Sequence, residues 1–536
     1  MIRTGRTTRR GRFMDQTDVL VIVLIGIVVI VVLVPVVTLL WLYYRDINQT
    51  KHSVLRNFPV LGKMRYILEK MGPELRQYLF LNDNEGKPFT RRQFEDVVIS
   101  AKYKHRMLGF GTERNYEEEG YYIRNSLFPK LEQEMRVDNE QKIQTKVYSI
   151  DDDSLFRRKE HREAAEVNPF YLPDEDAVIL GESTCRHPFK IKGLIGQSAM
   201  SYGSLGDRAI TALSTGLGLA GGTWMNTGEG GLSKYHLAGG TDIMLQIGPG
   251  LFGVRTPDGE FSWEAFQKKS EIEQVKAFEI KLAQGAKTRG GHLDGAKVTP
   301  EIAEIRGVEA YRSIDSPNRF KEFGDPISML HFIEKLREVG GKPVGIKLVV
   351  GDVDLERLAV AMAETGMAPD FITVDGGEGG TGASYKELAD AVGFPIHTAL
   401  PIADDLLKKY GVRDRVKLIA SGKLLSPDRI AVALAMGADL VNIARGFMMS
   451  VGCIRAMVCH TNRCPVGVAT TDPSLQKALV VEEKSYRACN YLLSLREGLY
   501  NVAAAAGIDS PTKFERRHIV YKDRYGKVHE LNTLFL

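Results

Sequence analysis

Three of the chain's five cysteines, Cys453, Cys459 and Cys464, fall within twelve residues at the spacing C-x5-C-x4-C. Thiolates this close can form a disulfide, hold zinc or hold an iron–sulfur cluster. Structural zinc takes four ligands, with pairs spaced C-x2–4-C, and His460 is adjacent to Cys459, so those two side chains diverge. Five cysteines in 536 residues make no disulfide framework, and an odd number leaves one over. The stretch by itself leaves all three readings open.

A second set of chemistry-bearing residues recurs at the ends of short apolar runs. Ala199, Met200 and Ser201 follow the first run, and Asn226-Thr227-Gly228-Glu229-Gly230-Gly231 follows the second. Gln246 closes the third, Lys281 the fourth and Lys347 the fifth, and Asp375 to Ala383, with Gly379 and Gly380, follows the sixth. Ser421-Gly422-Lys423 follows the seventh, and Ala444-Arg445-Gly446 the eighth. Glycines admit a ligand close to the backbone, whose N–H groups cradle phosphate. A phosphorylated cofactor lying across these ends fits the pattern; for any single glycine a plain turn serves as well.

The elements that must position these groups are eight runs: Leu194–Met200, Thr223–Thr227, Ile243–Ile247, Ala277–Leu282, Val344–Val349, Phe371–Asp375, Val416–Ala420 and Leu440–Ala444. Helical stretches alternate with them. Ser426-Pro427-Asp428 reads as a helix start closed by Gly437, and Asp354 as the cap of another helix. Eight parallel strands with crossover helices predict an α/β fold, a (β/α)8 barrel with its site at the strand C-termini. An open doubly wound sheet is the alternative. Two G-x-G-x-x-G matches are set aside. Gly216–Gly221 lies in a helical stretch, and Gly377–Gly382 follows the sixth strand rather than a leading βαβ unit.

Net charge is only +4, which gives no argument for nucleic acid. Val19 to Tyr44 carries no charge over 26 residues, long enough to span a bilayer once, with Trp41, Tyr43 and Tyr44 at its end. Arg3, Arg6, Arg9, Arg10 and Arg12 precede it, and Arg45, Lys51, Arg56, Lys63 and Arg65 follow, so the positive-inside rule ties. Arg9-Arg10 could open a twin-arginine signal, but no A-x-A site follows. The expectation is a single-pass membrane protein with a cytoplasmic catalytic domain. Beyond the span, Leu55, Phe58, Leu61, Met64, Leu68, Met71 and Leu75 recur at near-helical spacing among Lys63, Arg65, Lys70 and Arg76. That pattern suits a helix on the membrane surface or one packed on its own domain. The resulting division is a basic tail (1–18), a transmembrane helix (19–44), a mostly helical segment (45–185), the barrel (186–475) with its cysteine loop (453–464), and a C-terminal helical extension (476–536).

NTGEGG, EIKLAQGAK, GGTGAS, GVRDRV and CHTNRCPVGVAT, in this order between Gly196 and Leu475, resemble the FMN-binding synthase domain of glutamate synthase. The whole chain, with RNFPVLGKMRYILEKMGPELRQY, resembles the family's shorter, membrane-associated members. The resemblance implies a (β/α)8 barrel binding FMN and a [3Fe–4S] cluster on Cys453, Cys459 and Cys464, leaving Cys185 and Cys489 as small apolar residues of the fold. It implies reductive amination of 2-oxoglutarate, through an imine with ammonia, to glutamate. Lys347 would stand near the reduced flavin, Lys281 would bind a carboxylate and Glu229 would handle a proton; a buried lysine ion pair is the plainer reading of Lys347. A glutaminase domain is not expected, so ammonia would come from solution or an amidotransferase partner. Electrons would come from ferredoxin or a separate reductase subunit. The family loop AKPGEGGQLPG appears as AKTRGGHLDG, Ala286 to Gly295, with Arg289 and His292 new, and SGHDGGTGA as TVDGGEGGTGA; both changes bear on the substrate. Two alternatives remain: a membrane-anchored flavin/iron–sulfur component passing electrons to quinone, and a subunit transferring a methylamine-derived group. The nucleotide-dehydrogenase branch of such barrels needs a cysteine in the sixth loop, and Gly376 to Ser384 has none.

Overall fold

The structure, a computed structural model, describes residues 16–531 apart from 105, 106, 113, 155, 289 and 383. Most of the basic tail, including Arg9 and Arg10, therefore lies outside the described residues, as do Arg289 and Ala383. The chain divides into two compact units, one ending at Arg92 and one beginning at Gln93.

The first unit opens with a continuous helix, Gln16–Asn48, whose most apolar 18-residue stretch has a mean hydropathy of 3.6 and no buried residue. At 1.5 Å per residue it is roughly 50 Å long, against about 30 Å of hydrocarbon in a bilayer. Val29–Leu33 widens into a π-turn just before Pro35. Proline lacks an N–H and its ring crowds the carbonyl four residues back, and the wider turn relieves that crowding. The short helix Ser53–Asn57, the helix Gly62–Leu75 and a π-turn, Arg76–Phe80, follow.

In the second unit eight parallel strands close a barrel: β1 (Ile195–Gln197), β2 (Trp224–Asn226), β3 (Asp242–Ile247), β4 (Val275–Lys281), β5 (Val344–Leu348), β6 (Phe371–Asp375), β7 (Lys417–Ser421) and β8 (Leu440–Ile443), with β8 pairing back onto β1. The eight expected runs are these strands. They are legible because a parallel strand covered on both faces must be apolar almost throughout; every residue of β5 and β6 is buried. The open-sheet alternative is excluded by closure.

The outer helices are α1 (Asp207–Ala220), α2 (Lys234–Leu237), α3 (Trp263–Ser270), α4 (Pro326–Gly340), α5 (Asp352–Thr365), α6 (Ile396–Lys409), α7 (Pro427–Ala435) and α8 (Val481–Ala505). Helix α4 is capped by Asp325, which accepts from the Ser328 N–H at 3.0 Å, and α7 starts after Ser426 with Pro427 at its first turn. Asp354 is not the cap of α5. That cap is Gly351, and Asp352 and Asp354 sit in the first turn, where carboxylates offset the helix dipole.

Helix α8 packs against α1 and α7 and completes the outer ring, so the barrel runs past residue 475. The segment that follows is not wholly helical: Ile519–Lys522 and Val528–Glu530 form a hairpin joined by Gly120–Ile123. Likewise 45–185 is helical to Tyr103, then turns to strands such as the Ile143–Asp152 and Lys159–Val167 pair.

The glycines at 216 and 218 serve helix packing. A Cβ at Gly216 would stand 2.4 Å from the Ser485 carbonyl oxygen on α8, and one at Gly218 1.9 Å from the Gly239 carbonyl oxygen. Alanine is favoured over glycine inside a helix by about 1 kcal/mol, but overpacking against fixed backbone costs up to about 3 kcal/mol. Gly218→Ala is therefore expected to lower stability by about 2 kcal/mol net, read as a shift in the denaturant midpoint of the solubilised protein.

Candidate active site

Glu229 lies in the loop after β2, where Gly228 takes φ 65° and a Cβ would meet the Ser201 backbone nitrogen at 2.9 Å. The Gly228 N–H donates to Asn226 Oδ1 at 3.0 Å, which fixes the turn. Lys281, the last residue of β4, reaches Glu229 Oε1 at 2.9 Å. Lys287, in the following loop, reaches the same oxygen at 2.6 Å. All three are largely buried. Bare Cα atoms at Gly248 and Gly291 make room for Glu229 and Lys287, whose side chains a Cβ would meet at 2.5 and 2.3 Å.

Burial alone would raise the Glu229 carboxyl, but the two ammonium groups outweigh it and hold the group well below the usual carboxylate range. Burial brings Lys281 down to about 8, with Glu229 opposing and Lys287 and Lys347 adding to the fall. Lys281 is thus poised near neutral pH.

Arg306 joins this cluster from the helix Pro300–Arg306, an excursion between β4 and α4. Its Nη2 donates to the Tyr202 carbonyl at 3.2 Å, and its buried Nε has no hydrogen-bond partner among the described residues. Burial lowers it to about 10, while the Glu229 charge acts to raise it. The helix is docked by Glu301, which accepts from the Tyr202 and Tyr235 hydroxyls at 2.7 and 3.0 Å and pairs with Lys234 at 2.8 Å.

Lys347 stands 3.3 Å from Asp375 Oδ2, both buried, and the same oxygen accepts from the Gly285 N–H at 2.9 Å. This is the plainer reading of Lys347, a buried ion pair. Below it Glu279 ties three strands together, accepting from Asn226 at 2.8 Å, Gln246 at 2.6 Å and Thr373 at 2.6 Å. Gln246 Oε1 is left buried without a partner among the described residues, as are both amide atoms of Gln197. Orphaned polar atoms inside a barrel wall suit a heterocycle carrying both donors and acceptors.

Of the remaining cofactor candidates, Ala199, Met200 and Ser201 lie at the β1 end. The Met200 carbonyl is taken by His236 Nε2 at 3.1 Å and the Ser201 hydroxyl by Ser204 at 2.8 Å. Gly379 and Gly380 line the β6 loop, where a Cβ at Gly380 would meet Arg445 Nε at 2.7 Å. Ser421, Gly422 and Lys423 follow β7. Gly422 faces the start of α6, and Lys423 has φ 48°. Arg445 donates to the Glu378 carbonyl at 2.7 Å, and burial lowers it to about 10. Gly446 is a packing glycine: a Cβ there would stand 2.4 Å from the Tyr491 hydroxyl of α8.

The three clustered cysteines line one apolar pocket with Met448, Val466 and Val468, its empty volume about 270 Å³ with the open mouth included. Among the described residues, no other cysteine and no histidine, aspartate or glutamate lines it. Among the described residues no three such side chains stand close enough to grip a metal, and all five cysteines are free. Burial pushes the Cys453 thiol up to about 11. The loop is stitched down by Asn462, whose Oδ1 accepts from the Thr471 N–H at 2.8 Å. It is joined to the barrel by Lys297, whose buried Nζ donates to the Cys459 carbonyl at 2.9 Å and the Ser204 carbonyl at 3.1 Å. Burial lowers Lys297 to about 8, with Cys459 and Cys464 opposing. Cys489 is fully buried in α8, and Cys185 half-buried beside Asp370.

The structure therefore brings Glu229 and Lys281 together and adds Lys287, Arg306 and Lys297. Lys287 stands within the QGAK stretch quoted above. Arg306 and Lys297 had no sequence signal, since both belong to an excursion whose pattern is that of any surface helix.

Residues 131–509 match the family described as a conserved region in glutamate synthase. The chain is 63% identical over 518 residues to the "Glutamate synthase large subunit-like protein YerD" of Bacillus subtilis (strain 168), covering 96% of this chain and 99% of that one. It is 34% identical over 314 residues to the "Archaeal glutamate synthase [NADPH]" of Methanocaldococcus jannaschii, covering 58% of each. Over 317 residues it is 32% identical to the "Glutamate synthase [NADPH] large chain" of Bacillus subtilis (strain 168), of which it spans only 20%. A flavocytochrome b2 variant with pyruvate bound aligns at 12% identity and TM-score 0.43, covering 86% of this chain and 85% of that one, a likeness too slight to bear on function. The chain belongs to the glutamate synthase family.

Proposed function

We propose that this chain is an FMN- and [3Fe–4S]-dependent oxidoreductase that aminates 2-oxoglutarate to glutamate. The observation that carries the reading is the pairing of Lys281 and Lys287 with one buried carboxylate, Glu229, with the buried Arg306 guanidinium near enough to feel its charge. Three cations around one anion leave a surplus of positive charge in a desolvated site, the electrostatic complement of a dicarboxylate. The family assignment supports the same reaction class.

When bound, FMN would supply the hydride that reduces the C=N bond, and the cluster would supply electrons to it. Ala199, Met200, Ser201, Gln246, Lys347, Gly379, Gly380, Ser421, Gly422, Lys423, Arg445 and Gly446 would hold FMN, and Cys453, Cys459 and Cys464 the cluster. The chain's own residues do the rest. Lys287 and Arg306 bind carboxylate. Lys281, near 8, gives up a proton as water leaves the carbinolamine formed from ammonia and the keto carbon. Glu229 stays ionised and keeps Lys281 charged until that step. Within the changed 286–295 loop Lys287 belongs to this cluster, whereas His292 is exposed and paired to Asp315 at 2.9 Å.

Ammonia would come from solution or an amidotransferase partner, and electrons from ferredoxin or a reductase subunit. The Gln16–Asn48 helix would anchor the chain in a membrane by a single pass, the barrel facing the cytoplasm. That helix also favours a second reading, electron transfer from the barrel to quinone.

Anaerobic flavin reoxidation tests both readings. The expected result is reoxidation by 2-oxoglutarate with ammonium, yielding one glutamate per flavin. Reoxidation by quinone and not by 2-oxoglutarate would overturn the proposal. Arg306→Ala should raise KM for 2-oxoglutarate by about 30-fold, the loss of a charge-assisted hydrogen bond of about 2 kcal/mol. In the pH profile, activity needing protonated Lys281 should fall above about pH 8. Glu229→Gln removes the charge that raises this lysine and should shift the falling limb to lower pH; a limb that does not move would exclude Lys281 as the proton donor.

A further inference from the structure

We infer that residues 58–80 form a second membrane contact, a helix lying in the interface of an anionic lipid surface. The inference rests on the membrane reading of Gln16–Asn48 and goes beyond it.

The geometry begins at the end of the long helix. Asp46, 1% exposed, lies two residues past Tyr44, the last residue of the uncharged run. Its Oδ2 accepts from the Val60 N–H at 3.0 Å and stands 3.1 Å from Lys63 Nζ. This pin spans only a short connection, the Ser53–Asn57 helix, and fixes the start of Gly62–Leu75 at the end of the long helix. Trp41, Tyr43 and Tyr44, the side chains that favour a bilayer interface, stand exposed at the same level of the chain.

From that pin, one face of the second helix stays uncovered. Leu61, Met64, Ile67, Leu68 and Met71 are each about half exposed or more, and Leu79 and Phe80 extend the stripe through the π-turn. These positions recur at three- and four-residue steps, so they share a face. Arg65, Lys70 and Arg76 lie off that face and are exposed. A helix anchored at the interface, apolar on one side and basic beside it, is the form that buries in the headgroup boundary of anionic lipid.

The test uses the full chain reconstituted in vesicles of phosphatidylcholine and phosphatidylglycerol. A photoreactive benzophenone amino acid replaces Leu24, Leu68, Glu69 or Met71 in turn, and adducts are identified after illumination. Lipid adducts at 24, 68 and 71, exceeding those at 69 about tenfold, are expected. Lipid adducts at 24 without any at 68 or 71 would overturn the interfacial helix while leaving the span intact. Adducts at 68 to protein would overturn it in favour of packing on this chain or a second copy. No lipid adduct at 24 would bring down the membrane reading and this inference with it.

Discussion

The site depends on one desolvated carboxylate held between two ammonium groups. Glu229 can be ionised in the interior only because Lys281 and Lys287 both end on its Oε1, at 2.9 and 2.6 Å. Each partner arrives from a different place, Glu229 from the β2 loop, Lys281 from the end of β4 and Lys287 from the loop beyond it. The barrel must therefore close with β2, β3 and β4 in register before the charges can meet. Glu279 serves that closure two residues below Lys281, where it collects donors from β2, β3 and β6.

A second constraint separates the charged mouth from the cysteine pocket. The mouth is lined by groups that are paired or poised to pair, whereas the pocket is walled by methionine, valine and alanine. Lys297 is the link between them, its ammonium shared by a carbonyl of the β1 loop and the carbonyl of Cys459. A desolvated cation with two fixed acceptors resists displacement, so the cysteine loop keeps its place relative to the β1 end.

The barrel was legible because its strands obey one rule, burial on both faces. The run Phe371–Asp375 was read to the residue, and the others within a few residues of their ends. The barrel rule places Glu229 and Lys281 at strand ends, and the structure pairs them; the roles expected of them came from the family resemblance. What could not be read had no local signature. Helix α8 buries Ser485, Asn490, Ser494 and Arg496 as well as its leucines, so no apolar stripe announces it. Arg306 sits in PEIAEIR, a sequence indistinguishable from a solvent-facing turn of helix until tertiary structure turns it inward. At Gly446 a packing demand that has no local signature adds to the place at a strand end, since a Cβ there would stand 2.4 Å from the Tyr491 hydroxyl.

The close approach of the β4 and β6 loops has a consequence for how such an opening changes over time. A Cβ at Gly285 would stand 2.0 Å from the Gly376 carbonyl oxygen, and Gly379 presses on Gly285 in turn, so main chain meets main chain with no side chain between. An aperture edged in this way cannot be widened or narrowed by exchanging one side chain for another. Its spacing is set by the course and length of the two loops, so a change of size here calls for residues gained or lost rather than exchanged.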